Sequence, residues 1–309
     1  MTTILTQGDA EPQIQCDYAY GLSEAIRDGV CRKPSIVLID NDKMQVNSAD
    51  ENQHYDGVED LLSSRAVKYQ DLLHNEEALH FCLSLGCEKL DKLRATNPSA
   101  GGLVVASSIA HAQRIAAMLV SEFGQSVVMV THKHQDAGKI IDNYRNSSQQ
   151  WIVSVGMISE GTDIPRLQVC CHLSRITTEL YFRQVLGRIL RVTKKASNNA
   201  WLYTFAEPQL TLYAERVAEE LPTANVLRFE TLPECEVSDS GNKTNLKPFP
   251  EPGDGDTDRL VIFGDGAPSA NDVKPTTTAH NNTLSDVYTL ECLGAFRSKL
   301  VDMFSSSMA

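Results

Sequence analysis

The chain has 309 residues, 42% hydrophobic and only 6% aromatic, with a formal net charge of −12. This is enough apolar material for one or two globular domains with a substantial core. No apolar run approaches the roughly 20 residues needed to span a bilayer, and the start, MTTILTQGDAEPQ, has neither a basic n-region nor an apolar h-region. A cytoplasmic protein without a membrane partner is therefore expected. The cysteines (Cys16, Cys31, Cys82, Cys87, Cys170, Cys171, Cys235, Cys292) form no CxxC pair and no Cys/His cluster with zinc spacing, so free thiols and no metal site are expected.

Charge is unevenly spread. Residues 101–200 hold 11 Lys and Arg against 6 Asp and Glu, whereas the rest of the chain holds 17 against 34. The middle third is the basic part, so the acidic total does not exclude a polyanionic ligand.

In chain order, residues 1–55 read as a connecting segment with one short strand, Ile36-Val-Leu-Ile39, before the turn-like Asp40-Asn-Asp42. Residues 56–100 read as a helical segment of two helices. Leu61, Leu62, Ala66 and Tyr69 line the first; Leu79, Cys82, Leu83, Cys87 and Leu90 line the second. Residues 101–222 alternate short strands (103–107, 126–130, 151–155, 167–173, 200–205) with amphipathic helices (109–122, 136–146, 177–191, 208–220). That alternation predicts right-handed βαβ crossovers and an α/β fold: a parallel sheet flanked by helices, with ligands at the carboxyl ends of its strands. Residues 223–283, rich in Asp, Gly, Pro, Ser, Thr and Asn from 237 to 282, read as a linker, and residues 284–304 as a last amphipathic helix within a C-terminal segment 284–309.

The helix over 177–191 has two unlike faces. At 100° per residue Phe182, Val185, Leu186 and Ile189 fall on one side, and Gln184, Gly187, Arg188 and Arg191 nearly opposite. The apolar side anchors the helix to the sheet. On the polar side, Gly187 costs about 1 kcal/mol of helix propensity but leaves room for a close approach to the backbone.

The stretch "QVLGRILR" (184–191) resembles the QxxGRxxR motif VI of superfamily 2 helicases. "VSVGMISEGTDIP" (153–165) resembles motif V of the restriction-enzyme-like branch, "GGLVVASSIAHAQRIA" the motif IV strand and helix, and "DYAYGLSEAIRDGVCRKP" (17–34) the segment joining the two RecA-like domains. The resemblance covers roughly residues 15–222 and implies a RecA-like C-terminal helicase domain, with ATP and Mg2+ as cofactors and nucleic acid, DNA in particular, as partner. It implies catalytic roles for Arg188, Arg191 and Gln184. Gly161, Asp163 and Gly187 would lie at the nucleotide, with a plain turn before Ile164-Pro165 as the lesser reading of Asp163. Along the nucleic-acid track it implies Ser107, Ser108, Thr131, Gly156, Met157 and Ser159, with Lys133, Lys139 and Arg145 adding attraction; Ser107 or Ser108 equally suits a simple N-cap.

A complete motor needs a first RecA-like domain with a GxxxxGK[ST] loop and a magnesium-binding acid. Neither is present: Gly138-Lys139 is followed by Ile140 and lacks the upstream glycine, and Asp50-Glu51-Asn52-Gln53 follows no apolar strand. The chain reads as half of a motor, with no turnover expected until a first domain joins it. The alternative is a non-catalytic binding or regulatory remnant. A Rossmann-type enzyme is disfavoured, since no strand runs into GxGxxG.

Overall fold

The computed structural model describes residues 20–48, 52–131, 133, 136–156, 163–192, 199–220, 226–230, 262–263 and 288–302. The chain first forms α1 (Leu22–Arg27), β1 (Lys33–Asn41), β2 (Met44–Asn47), β3 (Asn52–Tyr55), α2 (Val58–Ser63), α3 (Tyr69–His74) and α4 (Glu76–Arg94). An alternating stretch follows: β4 (Gly101–Ala106), α5 (Ile109–Ser121), β5 (Val127–Thr131), α6 (Ala137–Asn146), β6 (Trp151–Val155), β7 (Leu167–Leu173), α7 (Glu179–Ile189), β8 (Asn199–Phe205) and α8 (Pro208–Glu219). Four short strands come last, β9 (Val226–Glu230), β10 (Ile262–Phe263), β11 (Thr289–Cys292) and β12 (Phe296–Asp302).

One sheet runs in the order β10-β5-β6-β4-β7-β8-β1-β12-β9. The stretch from β5 to β1 is parallel throughout, and β10, β12 and β9 add antiparallel edges. The parallel strands are apolar on both faces because both are covered by helices. Alternate residues of β4 show the pleat: Val104 and Ala106 enter one core, with α2 to α5, while Leu103 and Val105 enter the other, with α6, α7 and α8. This is the helix-flanked α/β architecture expected from the strand and helix alternation.

Several local expectations differ from the observed fold. The segment around Ile36–Ile39 is not peripheral: β1 pairs in parallel with β8 and antiparallel with β12, deep in the sheet. Residues 58–94 form three helices rather than two. The first ends at Ser64, where Arg65 takes a left-handed φ of 59°, and Asn75 starts the long helix by accepting the Ala78 N–H. The expected C-terminal helix is instead β11 and β12. Its amphipathic pattern also satisfies a half-buried strand, and β12 saturates the open hydrogen-bonding edge of β1, Ile36 opposite Val301 through Asn41 opposite Phe296. Arg297 then meets Asp40 across the pair at 3.1 Å. Of the expected linker 223–283, Val226–Glu230 and Ile262–Phe263 are the edge strands β9 and β10, and the rest lies outside the described residues.

Candidate functional site

The centre of the candidate site is α7. Phe182, Val185, Leu186 and Ile189 are all buried against the sheet, Phe182 edge-on to the His172 ring at 6.3 Å. The opposite side carries Gln184, half-buried, Gly187, exposed, and Arg188, half-buried. Among the described residues nothing lies within 4 Å of a Cβ built on Gly187, so with respect to them this face is open at its middle. Helix α7 stops at Ile189 with Leu190 as its cap, so Arg191 stands just past the helix rather than on its last turn.

Arg191 meets Asp163 there: Nη1 lies 2.5 Å from Oδ1, with 43% and 57% of the two side chains exposed. The two motif residues are therefore in contact. The Asp163 carbonyl also accepts a hydrogen bond from Arg145 Nε at 2.6 Å, which fixes the backbone on the Asp163 side of the pair.

Arg183, just before Gln184 on α7, belongs elsewhere. Arg183 forks onto Glu220 at 3.0 and 2.6 Å and reaches Glu179 at 3.0 Å, and Glu179 also takes Arg216 at 2.6 Å. These bonds raise the Arg183 pKa, Glu220 contributing most. Arg183 thus ties α7 to α8, while Arg188 and Arg191 belong to the open side.

At the carboxyl end of β4, Ser108 is the N-cap of α5, its Oγ accepting the His111 N–H at 3.1 Å. The hydroxyl of Ser107 sits between two imidazoles, 3.1 Å from His74 Nε2 and 2.8 Å from His111 Nδ1. The Ser107 N–H points to the same Nδ1 at 3.3 Å, so Nδ1 is an acceptor and His111 is neutral. Burial pushes its pKa down to about 3, with His74 and Arg114 adding to the effect. Thr131, at the end of β5, is buried, whereas Gly156, after β6, is exposed with a φ of +69° that favours glycine. Gly161, Met157 and Ser159 lie outside the described residues. Of the basic residues expected to add attraction, Lys139 pairs with Asp136 at 2.8 Å and Arg145 with Asp142 at 2.9 Å.

Sequence reasoning missed Arg32. It is 0% exposed, and its guanidinium donates from Nη1 to the carbonyls of Leu167 (2.8 Å) and Ile189 (3.0 Å) and from Nη2 to that of Pro165 (3.0 Å). Its own N–H donates to the Leu190 carbonyl at 2.7 Å, and Cys31 bridges Arg191 in antiparallel fashion. Burial alone lowers the Arg32 pKa to about 10, so it remains charged at neutral pH. The only sequence signal was a cation just before the apolar strand β1, a pattern shared by many surface residues.

Among the described residues no group of three or more His, Cys, Asp or Glu could hold a metal ion, and no helix is long and apolar enough to cross a membrane. No family model matches the chain. It is 28% identical over 198 residues to the uncharacterized protein Rv2917 of Mycobacterium tuberculosis, covering 63% of this chain and 33% of that protein. It is likewise 28% identical over 224 residues to the uncharacterized protein ML1624 of Mycobacterium leprae, covering 72% and 37%. The chain thus spans about a third of the length of the curated relatives it matches. Among solved structures it is similar to a fragment of a putative HsdR subunit of a type I restriction enzyme from Vibrio vulnificus YJ016 (TM-score 0.43, 14% identity, 65% of this chain and 37% of that one). It is also similar to domain 2 of the DEAD-box helicase Mss116p bound to an RNA duplex (TM-score 0.36, 11% identity, 45% and 55%).

Proposed function

We propose that the chain is the C-terminal motor domain of an ATP-dependent superfamily 2 nucleic-acid translocase, acting on DNA. It supplies Arg188 and Arg191 to a nucleotide held by a first RecA-like domain in cis or in trans. The observation that carries this reading is the side of α7 where Gln184 and Arg188 flank a glycine whose added Cβ would have no described residue within 4 Å, with Arg191 beside Asp163. The donor set fits a triphosphate, because a guanidinium is a planar, permanently charged fork suited to phosphate oxygens. Asp163 suits a sugar hydroxyl as acceptor. The bound nucleotide supplies the phosphoryl group and its Mg2+; this chain's residues bind and orient it, and its arginines answer charge that develops on the phosphate oxygens. No carboxylate cluster among the described residues fits the magnesium itself, so that ion falls to the first domain. Nucleic acid would lie across the carboxyl ends of β4, β5 and β6, by Ser107, Ser108, Thr131 and Gly156.

The alternative, a module that keeps the fold but acts without turnover, is favoured by one observation: the 309 residues contain no GxxxxGK[ST] loop. Two measurements separate the readings. On its own the chain is expected to bind single-stranded DNA weakly and without sequence preference, with affinity falling as salt rises; salt-insensitive or sequence-selective binding in fluorescence anisotropy argues against the track. Completed with a first RecA-like domain, it is expected to hydrolyse ATP in a DNA-stimulated manner, and replacing Arg188 or Arg191 by Ala is expected to lower kcat by roughly 10³-fold with a far smaller change in nucleotide affinity. An assembly that binds DNA but shows no turnover favours the module.

A further inference from the structure

An arginine with no exposure and no carboxylate partner among the described residues is costly to bury, and Arg32 is one. Burial lowers its pKa, and among the described residues carbonyl dipoles hold its charge. An apolar side chain of similar volume packs such a position at lower cost. What an apolar side chain cannot do is bind three carbonyls from two separate segments, and the identity of those carbonyls indicates what is gained.

Pro165 lies two residues after Asp163, and Ile189 lies two residues before Arg191 and next to Arg188. One guanidinium therefore grips the chain just beside each half of the Asp163–Arg191 pair, at 3.0 Å on both sides. Its third bond, to Leu167, fixes the start of β7. The main chain repeats the grip, because the Arg32 N–H takes the Leu190 carbonyl and Cys31 bridges Arg191 itself. The Ile189 and Leu190 carbonyls belong to the end of α7, where unsatisfied acceptors and the helix dipole both favour a cation. An exposed ion pair such as Asp163–Arg191 contributes little and cannot define its own geometry.

We infer that Arg32 is a positioning residue that sets the spacing and register of Asp163 against Arg188 and Arg191. The inference rests on the proposed function only in giving that spacing a use at a nucleotide. It makes the register of the two motifs depend on a residue some 130 positions upstream of Asp163 in sequence, in the segment that leads into β1. A lysine keeps the charge but has neither the fork nor the reach to hold both segments at once.

The test uses the full 309-residue chain as wild type, Arg32→Lys and Arg32→Gln. Amide hydrogen exchange is followed by mass spectrometry over residues 163–168 and 186–192, with α4 and α5 as internal references. In parallel, phenylglyoxal modification of Arg191 is timed against Arg216, which is held by Glu179. In Arg32→Lys the two motif segments are expected to exchange at least about 10-fold faster while α4 and α5 are unchanged, because loss of a local grip opens locally. Arg191 is expected to modify several-fold faster relative to Arg216. Uniformly faster exchange across the chain makes Arg32 merely structural and overturns the inference, as does unchanged exchange at 186–192. If neither variant folds, wild type still decides: the Arg32 amide must open together with the last turn of α7, and an Arg32 amide about 100-fold less protected than that turn overturns it. None of these readouts involves nucleotide, so their failure is separate from failure of the motor reading. If both readings stand, Arg32→Lys in the completed assembly lowers kcat at least about 10-fold with KM changed less than about 3-fold.

Discussion

Replacing Gly187 by Ala separates what the fold wants from what the site needs. Gly187 lies inside α7, exposed, and an added Cβ would have no described residue within 4 Å. Its backbone is not among the positive-φ glycines of the described residues. Nothing among the described residues therefore opposes the methyl, and the helix gains the difference in propensity between alanine and glycine, about 0.8–1.0 kcal/mol in a helix interior. For a domain of this size that corresponds to a rise in Tm of roughly 2–4 °C, readable by calorimetry or by urea titration followed through Trp151 and Trp201. The proposed site predicts the opposite sign for activity. If a phosphate approaches the backbone between Gln184 and Arg188, the methyl stands in its path, and kcat/KM of the completed assembly falls at least about 10-fold, or about 1.4 kcal/mol. Greater stability with reduced turnover is the expected signature. A stabilised variant with undiminished kcat/KM would refute a close approach at Gly187, and a destabilised one would refute the reading of this face as open.

The same helix predicts an asymmetry in stability: Arg191→Ala is expected to cost less than about 1 kcal/mol in urea titrations, its partner being an exposed carboxylate, whereas Phe182→Ala is expected to cost about 3–5 kcal/mol. A loss above about 2 kcal/mol for Arg191→Ala makes that arginine structural. Burial holds the His172 pKa down to about 4, and neither ring nitrogen has a hydrogen-bond partner among the described residues. Its unfolded form protonates first, so its contribution is complete above about pH 6.5 and is lost as pH falls from there towards 4; at pH 4.5 the loss is about 2–3 kcal/mol. His172→Leu is expected to flatten the urea-derived stability curve over that window, leaving the parallel loss from His111, and a variant as acid-sensitive as wild type contradicts this. Finally, a Cβ on Gly102 would lie 2.4 Å from the Trp151 ring, so Gly102→Ala is expected to cost about 2–3 kcal/mol or more, with a shifted Trp fluorescence maximum; an unperturbed Tm overturns that contact.

How much of this was legible beforehand depended on whether the signal was local. The alternation of strands and helices over residues 101–220 was readable because each parallel strand is an apolar run and each covering helix an apolar stripe, patterns that persist when the partner is unknown. The two faces of α7 were readable for the same reason. The Ser108 cap left its usual mark in sequence, a serine just before a helix, and only the hydrogen bond to His111 N–H selected it over Ser107. By contrast, residues 288–302 carry a pattern that satisfies either helix or half-buried strand, and the choice was made by the unfilled edge of β1 some 255 residues away in sequence.

The sequence by itself determined the α/β class, the order of the central elements and the polar face Gln184-Gly187-Arg188, since these follow from propensity and periodicity along a single stretch of chain. Only the tertiary structure decided that Arg183 belongs to a tie between α7 and α8, that Ser107 is held between two imidazoles, and that Arg191 meets Asp163. It alone exposed Arg32, buried among the carbonyls of Pro165, Leu167 and Ile189. The physical reason is shared: a polar or charged side chain takes its role from whatever dipoles and charges surround it in space, and contacts up to 157 residues apart in sequence leave no period in the chain to read.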